Sequence, residues 1–181
     1  MVVFNLIIEW RQGKKLRKGI TTPAPTVLVS ACLLGEKCRY NGKGYILPSL
    51  VEALKGFPVV PACPEVLGGL PVPRPPCELK GGDGELVWEG QAGVFTEDNR
   101  DMTLAFREGA RKTLELAQQN GVKIAVLKDH SPSCGCNKIY DGTFRHRLVA
   151  GVGVTAALLK KHGIQVIAET DWSAQRRGND V

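Results

Sequence analysis

A chain of 181 residues has the length of one domain with short tails and can bury a single core without staples. No apolar run approaches the roughly 20 residues that span a bilayer, and the apolar start VVFNLII is short, precedes its basic residues and lacks a small-residue cleavage site, so a soluble, cytoplasmic protein is expected. The formal charge of +6 is concentrated at one end: residues 1–22 carry Arg11, Lys14, Lys15, Arg17 and Lys18 against Glu9, which leaves residues 23–181 close to neutral. Nucleic acid is therefore not an expected partner, and residues 1–25 read as a flexible basic extension.

The prolines of TTPAP break any helix and mark the start of the fold near Thr26. TVLVSACL (26–33) is β-branched and almost continuously apolar, as in a strand buried on both faces. LPSLVEALKG (47–56) has helical spacing with Gly56 as its stop, and FPVVPAC (57–63) is a second strand. From Gly68 to Pro76, glycine and proline predict a shaped loop. ELVWEG and the residues to Phe95 are expected to form a small hairpin. The clearest helix runs from Asn99 to Asn120, with Met102, Phe106, Ala110, Leu114 and Ala117 on one stripe and Asn120-Gly121 closing it.

KIAVLKD (123–129) is a third strand, and the Asp-Gly of IYDGTFR signals a hairpin. A helix over 153–163 and a strand over 164–169 complete the domain, and 171–181 has no pattern. Four short strands separated mostly by helices predict a single α/β domain over 26–170, its largely parallel sheet of about four strands covered by helices, with small β-hairpin insertions.

In open α/β sheets ligands gather beyond the C-terminal ends of the strands. Cys32 stands at the end of strand one, Cys63 at the end of strand two and Cys134 just beyond strand three, so the fold delivers all three thiols to one sheet edge. A single cysteine there is ordinarily a small buried hydrophobe, but three at equivalent ends, each in a turn-forming sequence, point to a shared soft metal site. None belongs to a CxxC pair, which argues against a zinc ribbon. Three thiolates leave one coordination position open for substrate.

Of the other cysteines, Cys38 and Cys77 are expected in loops as non-ligands, and Cys136 is a redox or auxiliary thiol. Polar residues crowd the same turns. Glu65 is a candidate general base or a helix-start carboxylate. Ser131 and Ser133 are positioned to bond cluster sulfur or substrate, or else cap a turn. Ser30, Asp129 and His130 are weaker members of that shell. Arg74 and Lys128 are candidates to neutralise a charged cluster or position substrate. CRYNGKG (38–44) lacks the spacing of a phosphate loop, and GVGVTAALL (151–159) is a weakly anion-friendly helix start, not a dinucleotide fingerprint.

The segments VSACLLGEKCRYNG (29–42), CPEVLGGLPVPRPP (63–76), LKDHSPSCG (127–135), IYDGTF (139–144) and GVGVTAALL (151–159) together make the chain resemble the DUF523 family, whose characterised members are thiouracil desulfidases. That resemblance implies a [4Fe–4S] cluster on Cys32, Cys63 and Cys134, with the fourth iron free to take the sulfur of a thiolated base or nucleoside. It implies removal of sulfur from a thiopyrimidine such as 2-thiouracil to give the oxo base and sulfide, with Glu65 activating water and Ser131 or Ser133 assisting. Arg74, Lys128 and Ser30 are the expected substrate contacts. Two features depart from the family pattern: the basic N-terminal extension, and FRHRLVAG (144–151) in place of a small, glycine-bearing sequence, so that Arg145, His146 and Arg147 are expected to narrow substrate access. Two other readings of the cysteines stay open at this point, a non-catalytic metal-binding module and a thiol redox protein using Cys134 and Cys136.

Overall fold

The computed structural model describes residues 23–172; the basic extension, apart from its last three residues, and the end of the tail lie outside them. Strands β1 (Val27–Ser30), β2 (Val59–Ala62), β5 (Ile124–Leu127) and β8 (Gln165–Ala168) form one sheet in the order β2-β1-β5-β8. Every pairing in it is parallel, Val27 lying opposite Val59 on one side and Ile124 on the other. β1 is buried along its whole length because it is a central strand covered on both faces. Its alternation divides the core: Leu28 joins one apolar cluster with Phe106, Ala110 and Leu158, whereas Val27 and Val29 join a second with Leu50, Phe57 and Trp172.

The first face is covered by α4 (Thr103–Gln119) and α5 (Val154–Lys161), the second by α1 (Pro48–Ala53). Phe106, Ala110, Leu114 and Ala117 of α4 are the buried stripe that the spacing predicts. Two antiparallel pairs are inserted around this frame, β3 (Cys77–Lys80) with β4 (Gly93–Thr96) and β6 (Lys138–Tyr140) with β7 (Leu148–Ala150).

One local expectation needs correction. ELVWEG does not form a hairpin strand: Glu85–Glu89 belong to α3 (Gly84–Glu89) and Gly90 ends it, between the two strands of the first insertion. Asp83 starts it by accepting hydrogen bonds from the backbone N–H of Glu85 (2.9 Å) and Leu86 (3.4 Å), and such a cap outweighs a short apolar alternation. Pro64–Leu67 form a one-turn helix, α2, started by proline in its first turn, with Glu65 at the helix start as one of its two expected readings had it. Gly109 lets α4 lie directly on it, since a Cβ there would run into the Pro64 carbonyl. The corner carrying Cys63 and Glu65 is thereby seated on the longest helix of the fold.

Candidate metal centre and active-site cavity

At the C-terminal edge of the sheet lies a cavity of about 480 Å³. Cys32 sits two residues beyond the end of β1, where the expected strand still ran on, inside a 3-10 turn (Ala31–Leu34) closed by Gly35 in the left-handed conformation (φ 98°). Cys63 follows β2 at once and caps α2. Cys134 lies in a tight turn after β5, where the Ser131 hydroxyl accepts from the backbone N–H of Ser133 and Cys134, each at 3.1 Å. All three expected thiols line the one cavity.

Cys38 and Cys77 line it too. Cys38 is buried, and the Cys63 Sγ donates to its carbonyl (3.7 Å). Cys77 is not in a loop but opens β3. The thiols crowd one another: Cys38 is pushed up to about 11, first by its thiol partner Cys32, and Cys63 is raised by Cys38 and by burial. Burial pushes Cys134 up to about 12, opposed by the Ser30 and Ser133 hydroxyls beside its sulfur. Cys136 does not line the cavity. Its Sγ donates to the Cys134 carbonyl at 3.3 Å, deep in the core, where burial raises it as well, an arrangement that suits a buried hydrophobe and not a redox partner.

The donor set is soft sulfur gathered on one cavity, the chemistry that a thiophilic centre completes. Among the described residues no three His, Cys, Asp or Glu side chains close on one point as a single ion needs. Thiolates spread around a cavity fit a polynuclear cluster, in which each thiolate binds a different iron.

Beside the sulfurs, Glu65 Oε2 accepts from Arg74 Nε at 2.8 Å, and Nη2 of the same guanidinium lies 2.8 Å from it in the ion pair. Arg74 is buried, and its remaining donors go to the carbonyls of Pro71 (3.1 Å) and Cys38 (3.0 Å). It also lines the cavity, so beside its expected place as a substrate contact it acts as a clamp, holding Glu65 and the Cys38 segment in one geometry. Glu65 Oε1 enters no hydrogen bond among the described residues, and the side chain lines the cavity. Ser30 is buried and its Oγ accepts from the Lys128 N–H (3.0 Å), tying β1 to β5. Lys128 Nζ pairs with Glu169 (2.5 Å) and lies over the Tyr45 ring, 5.1 Å from its centroid.

The two serines separate. Ser131 lines the cavity, whereas Ser133 is fully buried and shares a hydrogen bond with Thr155 (2.9 Å). The α5 start is not anion-friendly: its free N–H groups are taken by the same turn, Val154 by the Pro132 carbonyl and Thr155 by that of Ser133, both at 2.9 Å. Asp129 accepts from the N–H of Cys136 (2.7 Å) and Asn137 (3.2 Å). Burial pushes its carboxyl up, but these donors and the His130 N–H outweigh it and hold it below the usual range. Sequence reasoning missed this bracing, the Thr155 hydroxyl and the rings of Tyr140 and Phe144 along the cavity wall, whereas His146, expected at the substrate entry, lines the cavity without Arg145 and Arg147. No local pattern marks them, because each acts across 7 to 66 residues of chain.

The chain resembles known proteins over most of its length. The chain is 45% identical over 145 residues to the uncharacterized protein YbbK of Bacillus subtilis (strain 168), covering 80% of this chain and 96% of that one. It is similar to the solved structure of the [4Fe-4S]-dependent thiouracil desulfidase TudS, with 41% identity and a TM-score of 0.73 over 86% of this chain and 98% of that one. A model of the 2-thiouracil desulfurase family matches residues 27–171, and the chain belongs to that family.

Proposed function

We propose that this protein is a [4Fe–4S]-dependent desulfidase that converts a thiolated pyrimidine such as 2-thiouracil into the oxo base and sulfide, with water as the only other reactant. The observation that carries the reading is the convergence of Cys32, Cys63 and Cys134 with an Arg74-clamped Glu65 on one cavity. Cys32, Cys63 and Cys134 hold the cluster. When bound, it supplies an iron without a protein ligand, a Lewis acid toward a thiocarbonyl sulfur.

The chain's own residues do the rest. Arg74 fixes Oε2 of Glu65, and Oε1 takes the proton of the water that attacks the thiocarbonyl carbon. Ser131 uses its oxygen as acceptor within the turn, which leaves its hydroxyl proton to be directed into the cavity. Ser133, bonded to Thr155, supports the Cys134 sulfur from behind. Ser30 and Lys128 line the floor, Lys128 as half of an ion pair. A free base or nucleoside is the substrate class and the cytoplasm the expected compartment, on cysteine usage. The basic extension of 1–25 and the tail of 171–181 frame the catalytic domain.

The test is anaerobic reconstitution with iron and sulfide, then measurement of sulfide release from 2-thiouracil and 4-thiouracil. A brown protein that releases sulfide is the expected outcome; a colourless protein that cannot be reconstituted sinks the proposal.

A further inference from the structure

The loop between β6 and β7 crosses the cavity mouth in an unusual conformation. Two non-glycine residues separated by one, Phe144 and His146, both have φ 58°, a left-handed geometry that persists in side-chain-bearing residues only where the surroundings enforce it. The enforcing contacts are visible. Glu78, a buried carboxylate on β3 with no part in the chemistry above, accepts from the Phe144 N–H at 3.0 Å. Lys80 Nζ lies 5.4 Å from the Phe144 ring centroid. Gly142 is pressed onto β3, where a Cβ would stand 2.5 Å from the Leu79 carbonyl.

The strain turns rings inward. Phe144 and His146 line the cavity, whereas Arg147 turns toward Asp141 (3.7 Å) and Arg145 is not part of the lining. His146 meets Tyr140 edge-on at 6.1 Å, and Tyr140 meets His130 at 6.5 Å. The cavity thus has a sulfur-lined side and a side of rings.

We propose that this strained loop, clamped by Glu78, is the ring-recognition wall of the cavity: His146 and Tyr140 contact the flat heteroaromatic ring of the substrate, so the protein selects cyclic thiocarbonyl compounds over acyclic ones. Glu78 also lines the cavity, and its part in the wall is that of a positioning residue, holding the loop by the Phe144 N–H. The proposal rests on the desulfidase reading for the identity of the substrate, and on the geometry alone for the wall. Contact between a base and an aromatic side chain is worth enough that its loss weakens binding about tenfold.

The experiment compares 2-thiouracil with thiourea, which carries the thiocarbonyl but no ring, on the reconstituted protein. His146→Ala, an exposed loop substitution, should raise KM for 2-thiouracil about tenfold with kcat within about twofold, and leave inhibition by thiourea unchanged. Glu78→Ala should do the same, and Glu78→Gln, which keeps an acceptor oxygen for the Phe144 N–H, should restore KM. Equal effects on both compounds, or none on either, overturn the wall. Calorimetric binding of uracil separates the two readings. If no sulfide is ever released but His146→Ala weakens uracil binding about tenfold, the wall stands and the desulfidase reading falls. If sulfide is released but uracil affinity is the same in both proteins, the wall falls alone.

Discussion

Arg74 is buried with a guanidinium whose hydrogen bonds reach one carboxylate and two carbonyls. A lysine cannot reproduce that fork. Arg74→Lys and Arg74→Met should therefore lower kcat for sulfide release at least tenfold while iron content per chain is unchanged, because the clamp aligns Glu65 and holds no metal. Glu65→Gln should retain the visible absorbance of the cluster and lose about 100-fold or more in kcat, the scale of a lost general base. The cysteines divide by the same measurement. Cys32→Ala, Cys63→Ala and Cys134→Ala should each abolish iron uptake on reconstitution, and Cys38→Ala should keep it. Loss of iron from Cys38→Ala would promote Cys38, which sits beside Cys32 and Cys63, to the ligand set.

Among the elements, α5 and the turn before it depend on each other. The helix N-terminus leaves N–H groups that need partners, and the Pro132 and Ser133 carbonyls supply them. The approach is so close that a Cβ on Gly153 would run into the Ser133 carbonyl. Gly153 has an ordinary extended backbone (φ −75°, ψ 164°), so the demand is for space and not for a special conformation. Gly153→Ala should cost about 1–3 kcal/mol in urea unfolding, the scale of overpacking at a rigid contact, and should loosen iron binding by displacing Cys134. A corresponding substitution at Gly121, where nothing approaches an added Cβ and only the left-handed φ of 62° resists it, should leave iron binding intact.

At the scale of the whole molecule, the sheet edge that carries the site is braced by carboxylates. Asp129 gathers the backbone N–H groups of the Cys136 turn, and Glu169 at the end of β8 accepts from Lys128 and from the Asp129 N–H (2.7 Å). Because the folded-state carboxyl of Asp129 lies below the ordinary 3.8, its contribution is fully present above that value and is lost as pH falls through it toward the folded pKa. The stability gap between the wild type and Asp129→Asn in thermal melts should therefore be widest above about pH 5 and close at lower pH. A gap that widens in acid would contradict this sign. Among the described residues no helix is long and apolar enough to cross a membrane.

How much of this could be read without coordinates follows from the range of each interaction. The strands, the α4 stripe and the strand-end positions of Cys32, Cys63 and Cys134 are products of local periodicity and of parallel topology, and both are written in the residue order. The same holds for the Asp-Gly hairpin. The α3 helix was not legible, because one capping side chain outweighed an apolar alternation too short to decide. The serines illustrate the divide most plainly. Residue type and spacing made Ser131 and Ser133 equivalent, yet the packing of α5 buries Ser133 against Thr155 and leaves Ser131 on the cavity. The reach of Arg74 to the Cys38 carbonyl and that of the Phe144 N–H to Glu78 are of the same kind. Each depends on which groups meet across tens of residues of chain, and close packing of the finished core decides that, since every buried donor there must find its acceptor.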